Sequence, residues 1–440
     1  MNKLIIFFVA VLFFISCDES TKSKDHGNLE VQSEKEGYVV LHSLDGKEVK
    51  EVHSIKSGET IVFEDMQKSH VTFSVIFKDN NGYYDWYSED VSNIYSYYRV
   101  PVGIYRISST YYEGNIKGVV HLTIDYPDSN YTEKTISHPG WYRELNDINY
   151  IWIRKLFANN KVKLYGYVWN QIEKIGYYNW LEKDDLDPGI PMKDRLSLSK
   201  QFLTKSITFN TSIYPVEFYV LSNPNEANWF YWANIFHQSQ DLIDYNDENI
   251  QLYYPEKSDE DNYFFILNNS NSKGTYKYYV SYDEIPEYID IPSIDIDATY
   301  DYENEIVTDI SISDDVDLIK CVWGKNLDSD TLNVLTEHWT VFSPANVQTV
   351  YRPTLPENLV VDYNLNNYED VLIMSCNFSE FDDINGYDDY FKGNYDSSIP
   401  DEISRGRLYR YTHLDGIKEE LLGKRLNNLF FNKNQYLMEE

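Results

Sequence analysis

Residues 37–77 read GYVVLHSLDGKEVKEVHSIKSGETIVFEDMQKSHVTFSVIF. Tyr38–His42 is a short apolar run, Leu44–Lys47 carries the Asp-Gly pair of a tight turn, and Glu48–His53 alternates polar with apolar side chains. A period of two puts successive side chains on opposite faces of a pleated strand, so this stretch predicts a hairpin. Ser57-Gly58-Glu59 turns the chain into Thr60–Phe63, Val71–Phe77 follows, and Asp79–Gly82 closes the run. Asp, Asn and Gly tolerate the backbone conformations such turns require. Strands this short, with turn signals between them, predict a β-sandwich over residues 37–124. Tyr95–Tyr98, Gly103–Tyr105 and Val119–Ile124 supply its last strands.

The same code returns beyond Pro286 and Pro292. Ile294–Tyr300 and Ile306–Ser313 alternate around a turn at Tyr302–Asn304, and Leu318–Trp323, His338–Phe342, Leu359–Tyr363 and Val371–Phe378 continue a second sandwich over 286–380. Between the two, residues 125–285 form a mixed, mainly β region. Lys161–Trp169, Ser206–Phe209 and Val216–Leu221 read as strands there, whereas the spacing of apolar residues in Asn225–Leu242 predicts a helix. The tail, 381–440, reads as an acidic loop followed by a C-terminal helix over 416–437. The expected fold is therefore mainly β and multi-domain, with two β-sandwich-like domains flanking the mixed middle.

The chain opens MNKLIIFFVAVLFFISCDES. Lys3 provides a positive start, and the unbroken apolar run Leu4–Ile15 is too short to cross a ~30 Å hydrocarbon core. Phe14-Ile15-Ser16-Cys17 at its end resembles the lipobox of bacterial lipoproteins, with Phe14 where leucine is usual. That resemblance implies a signal peptide over 1–16, lipid on Cys17 and attachment to outer-membrane lipid; a plain secretory peptide is the alternative. Residues 17–36, rich in charge and serine, read as a flexible tether. Asp18 and Glu19 after the cysteine look like the surface-export signals of Bacteroidota lipoproteins, implying a body exposed at the cell surface. The first sandwich, a strand, Asp-Gly, a strand and then Gly58-Glu-Thr-Ile-Val-Phe-Glu-Asp65, is similar to carboxypeptidase-regulatory-like modules. Such modules imply a spacer without catalytic residues.

Composition narrows the partners. Lys+Arg 38 against Asp+Glu 71 leaves a formal net charge of -33, which repels phosphate backbones and argues against nucleic acid. The Tyr count of 41 fits sheets, where the ring packs on a half-buried surface and the hydroxyl stays wet. With lipid on Cys17, Cys321 and Cys376 remain as an even pair in strand-like runs. A disulfide between them and two buried thiols are the two readings.

No nucleophile elbow, zinc-binding helix motif, phosphate loop or dinucleotide glycine set occurs, and the histidines are scattered singly. The loop beginning at Asp382, Asp383, Asn385 and Asp388 offers the oxygen ligands a structural calcium ion requires, although it departs from the EF-hand pattern; a solvated acidic loop is the alternative, and no other cofactor is expected. Tyr83, Tyr84, Trp86 and Tyr87 follow a turn, beside Asn81 and Asp85, and could present rings and hydrogen-bonding groups to a sugar. Core packing is the competing reading for these rings, and for Asn228–Trp232, where Trp229 and Trp232 stand three apart. The functional expectation is a non-catalytic, lipid-anchored cell-surface binding or scaffold protein, with polysaccharide or a membrane protein as partner. A glycan-binding lipoprotein beside an outer-membrane transporter is the first alternative, and a secreted hydrolase the second.

Overall fold

The computed structural model describes residues 27–413 apart from 67, 80–90, 108–117, 128–129, 132, 139–140, 145–147, 154–161, 171, 184–189, 214–215, 223–232, 241–246, 257–260, 271–273, 292–294, 313–315, 329–332, 363–370, 382–383, 393 and 397–407. Of the described residues 70% are strand and 4% helix, so the chain is mainly β. β1 (Gly27–Ser33), β2 (Gly37–His42), β3 (Val49–Ile55), β4 (Thr60–Met66), β5 (His70–Asp79), β6 (Val91–Pro101) and β7 (Ile104–Ile107) come first. β8 (Gly118–Asp125), β9 (Glu133–His138), β10 (Trp141–Glu144), β11 (Ile148–Ile153), β12 (Val162–Asn170), β13 (Ile175–Lys183), β14 (Met192–Ser197) and β15 (Lys200–Gln201) follow. Then come β16 (Leu203–Ile213), β17 (Val216–Ser222), β18 (Ala233–Gln240), β19 (Asp247–Tyr254), β20 (Asp261–Ser270), β21 (Gly274–Tyr282) and β22 (Tyr288–Ile289). The remainder holds β23 (Ile296–Asp301), β24 (Ile306–Ile312), β25 (Leu318–Asp328), β26 (Asn333–Ser343), α1 (Glu357–Asp362), β27 (Val371–Phe381), α2 (Tyr387–Phe391), β28 (Asn394–Asp396) and β29 (Leu408–His413).

A twelve-stranded sheet dominates, in the order β18-β17-β20-β21-β29-β27-β25-β26-β6-β5-β2-β3. It takes strands from 37–124, 125–285, 286–380 and the tail alike. Its junctions are antiparallel apart from β26–β6, which is parallel and pairs Trp339 with Ile94 through Phe342 with Tyr97. Alternation sends the two faces of this sheet into different cores. Val71, Phe73, Val75 and Phe77 of β5 face a core shared with Leu29, Val31, Phe63, Tyr105 and Tyr395, so the four-stranded sheet β28-β7-β1-β4 covers that side as a sandwich. Ile76, Ile94, Trp339, Val341 and Cys376 face the other core, which β16, β19 and the β23–β24 hairpin cover with Ile207, Leu252, Ile296 and Val307. β12 is buried along its whole length: Val162, Leu164 and Val168 enter a third core with β8, β9 and β11, while Tyr165, Tyr167 and Trp169 enter the second. Gly166 allows this double burial, since a Cβ there would stand 2.8 Å from Leu196 Cδ2.

Four segments differ from the sequence reading. Residues 359–362, expected within a strand over Leu359–Tyr363, lie in α1, where the Leu359 and Val360 backbone N–H groups turn back onto the Pro356 carbonyl at 3.0 and 3.1 Å; proline, with its fixed φ, suits the start of such a helical turn. Residues 27–33, assigned by composition to the tether, form β1, because Leu29 and Val31 alternate into the first core and are fully buried. Residues 233–240, expected within a helix, form β18 and pair with β17 from Val216↔Gln240 to Ser222↔Ala233. That ladder satisfies the backbone of both segments, and non-local pairing of this kind overrides local helical spacing. The segment read as an acidic loop carries α2 and β28. The expected helix over 416–437 lies outside the described residues.

A polar row crosses the second face of the sheet. His42 Nε2 lies 2.9 Å from Ser74 Oγ, Ser74 Oγ lies 2.8 Å from Ser96 Oγ, and Trp339 Nε1–H donates to Ser96 Oγ at 2.9 Å. Each hydroxyl can donate towards His42, which then accepts at Nε2 as the neutral ring. Burial lowers the His42 pKa from 6.5 to about 4. The unfolded chain therefore binds a proton that the folded chain refuses between those values, and stability falls as pH drops from about 6.5 to about 4. At ~1.4 kcal/mol per pKa unit this contribution is on the order of 3 kcal/mol. Urea titrations across that window should show the wild type losing this much more stability than His42→Gln, whose difference from wild type would stay constant if another group were responsible.

Candidate functional site

A pocket of about 570 Å³ opens where the second core reaches the surface, lined by Asn304, Glu305, Trp339, Tyr351, Arg352 and Glu357 among others. Three parts of the chain build it. The first is the β23–β24 turn, closed by the pairing of Asp301 with Ile306. Asp301 accepts hydrogen bonds from the backbone N–H groups of Glu303 (3.0 Å) and Asn304 (3.1 Å) and from the Asn304 side-chain amide (2.7 Å). The Asn304 amide and these backbone donors hold the Asp301 carboxyl below its ordinary value. The turn leaves Glu305 at φ 55°, in the left-handed region that glycine usually occupies. Its carbonyl accepts from Trp323 Nε1 at 3.3 Å.

The second part is Trp339 on β26, fully buried, whose indole forms the floor. The Arg352 guanidinium sits over this ring, 5.6 Å from its centroid, a planar cation on a π face. The third is the segment 351–360, fastened at its start. Val350 exchanges backbone hydrogen bonds with Val307 at 2.8 and 2.9 Å, and Thr354 N–H donates to the Gly46 carbonyl at 3.0 Å. The Tyr351 hydroxyl donates to the Asp45 carbonyl, and the Tyr98 hydroxyl donates to the Tyr351 carbonyl at 3.1 Å. Burial, then the neighbouring Asp45 charge, raises the Tyr351 pKa, so this hydroxyl stays a donor at neutral pH. Gly46 makes the approach feasible: it has φ 72°, and a Cβ there would stand 2.6 Å from the Tyr98 hydroxyl.

The pocket thus joins a guanidinium, two carboxylates, an amide and an aromatic edge around a space in the ordinary size range for small-ligand sites. It offers donors and acceptors together, which suits a polar, hydroxyl-rich molecule. None of its residues was singled out as a ligand group by the sequence. The Asx-type turn at Asp301 and the Asp45-Gly46 pair were legible as turns, but nothing local indicates that residues near 45, 305, 339 and 352 converge.

The sequence candidates are placed as follows. Cys17, Tyr83, Tyr84, Trp86 and Tyr87, together with Asp382 and Asp383, lie outside the described residues, as does Asn228–Trp232. Asp388 lies in α2, where its carboxylate meets His70 Nε2 at 2.8 Å. Asn385 donates its backbone N–H to Asp389 at 3.4 Å. Asp317 organises this corner by accepting from the Phe381 and Gly386 backbone N–H groups at 2.8 and 2.7 Å. Among the described residues no group of three or more His, Cys, Asp or Glu side chains is arranged to hold a metal ion. Cys321 and Cys376 come together as direct cross-strand partners. A scan against family models and a search of curated proteins returned no match to the chain.

The left-handed backbone at Glu305 costs about 1–2 kcal/mol in an L-residue. Glu305→Gly should therefore raise the unfolding free energy by up to ~1 kcal/mol in urea titration. A loss of stability would mean that contacts of the Glu305 side chain outweigh the backbone strain.

Proposed function

We propose that the chain is a non-catalytic, lipid-anchored cell-surface binding protein, held to the outer membrane through Cys17 and taking a neutral, hydroxyl-rich ligand, a segment of polysaccharide, in the Arg352 pocket. The observation that carries this reading is the pocket itself. Arg352 lies on the Trp339 ring with Glu305, Glu357 and Asn304 around it, an arrangement of fixed donors and acceptors beside an aromatic wall. Guanidinium and carboxylate groups pair well with vicinal hydroxyls, and the Asp301 turn and the ties of residues 350–354 to β24 and Gly46 hold Glu305 and Arg352 in place before the ligand arrives. Support for the anchor comes from the run Leu4–Ile15 ending at Ser16-Cys17. Among the described residues no helix is long and apolar enough to cross a membrane. The acidic surface also fits attachment by lipid, since an anionic leaflet would repel the body.

Calorimetric titration with neutral oligosaccharides tests the ligand, and fractionation of Cys17→Ser tests the anchor. Arg352→Ala should weaken binding at least tenfold, and Cys17→Ser should move the protein from the membrane to the soluble fraction. Unchanged binding by Arg352→Ala, with loss on Trp86→Ala, would move the site to the aromatic residues 83–87. New reducing ends during the titration would mark a hydrolase instead.

A further inference from the structure

Cys321 and Cys376 stand directly opposite each other on the neighbouring antiparallel strands β25 and β27. Their sulfurs are 2.8 Å apart, and both side chains are fully buried near the middle of the twelve-stranded sheet. Adjacent antiparallel strands hold opposed Cα atoms ~4.5–5.5 Å apart, within the span a disulfide bridges without moving the backbone. We propose that these two residues form a cross-strand disulfide in the mature protein, made while the sheet is still open. The proposal uses the export reading given above, because exported chains fold where thiols meet oxidants.

The order of events follows from burial. A thiol–disulfide exchange needs a thiolate that an oxidant can reach. In the closed sheet neither sulfur touches solvent, and burial pushes the Cys321 thiol well above its ordinary value. Tyr300 of β23, itself buried, lies beside both. In the open chain the reaction is ordinary. One thiolate attacks an oxidant disulfide RSSR, releasing RS⁻ and leaving a mixed disulfide. The second thiolate attacks the protein-side sulfur of that bond, releasing a second RS⁻. The two cysteines lose two protons and two electrons, and RSSR leaves as two thiols. The loop closed by the new bond spans a separation of 55 residues and contains Trp339, Tyr351, Arg352 and Glu357. The bond would therefore fasten the segment that carries the pocket floor and its guanidinium, before the remaining strands cover it.

The test is a thiol count on the full-length protein, taken from its native cells into denaturant with a polymer-tagged maleimide, before and after reduction. The expected result is no label at 321 and 376 before reduction and two labels afterwards, with Cys321→Ser showing one label without reductant. Two labels without reduction on protein that carries lipid at Cys17 would overturn the proposal while leaving the export reading intact. If the chain still carries residues 1–16 and both thiols label, the export reading has failed. Refolding the purified chain with oxidised and reduced glutathione then decides the bond itself: one intrachain disulfide supports it, and two residual thiols overturn it.

Discussion

The parallel junction between β6 and β26 is the constraint on which the rest of the sheet depends. It joins strands whose paired side chains, Ser96 and Trp339, are 243 residues apart in sequence. Closing a loop of that length costs roughly 5 kcal/mol by the (3/2)RT ln n relation. No single contact offsets this. On the first face Phe73, Tyr97 and Phe342 are register partners on three successive strands, stacked with ring centroids 4.8 and 5.0 Å apart. Such pairs contribute about 0.5–1.5 kcal/mol each beyond their burial. On the second face Trp339 and the two serines add hydrogen bonds worth ~1 kcal/mol each. Tyr387 of α2 completes the junction, its hydroxyl reaching the carbonyls of Tyr98 (2.7 Å) and Phe342 (3.2 Å), one on each strand. These terms reach the closure cost only together, so the junction requires both faces to be covered.

Alternation made most strands legible. Tyr38–His42, Glu48–His53, Thr60–Phe63 and Val71–Phe77 correspond to β2, β3, β4 and β5, and Ile306–Ser313 to β24. A two-residue period reports directly which side chains can share a face, whatever the strand pairs with. Pairing itself is not local. The apolar side chains of β6 would suit many neighbours, and nothing in Val91–Pro101 names Asn333–Ser343 as its partner. The same limit explains β18, where pairing with Val216–Ser222 decides against a helix. β1 was obscured differently, since two inward residues, Leu29 and Val31, are too few to stand out among charged neighbours.

The pocket inherits this non-locality. Its floor belongs to β26, its rim to the β23–β24 turn, and its guanidinium to a segment tied back onto the Asp45-Gly46 turn between β2 and β3. Each piece is ordinary in sequence, and the chemistry arises from their convergence. Glu305 carries the one local sign of strain at the rim, a left-handed backbone without glycine. Strain of this kind persists only where the surroundings hold it in place. The His42–Ser74–Ser96–Trp339 row connects the pocket floor to the far side of the junction, so the site and the sheet share one set of supports.

Native-state hydrogen exchange under increasing denaturant tests the single-sheet architecture most directly. Backbone amides of β6 and β26 should exchange through one shared opening, with the same free energy and the same denaturant dependence as global unfolding. Exchange from β6 at a distinctly lower free energy, with β26 still protected, would show that the two strands belong to units that fold separately, and would contradict the junction.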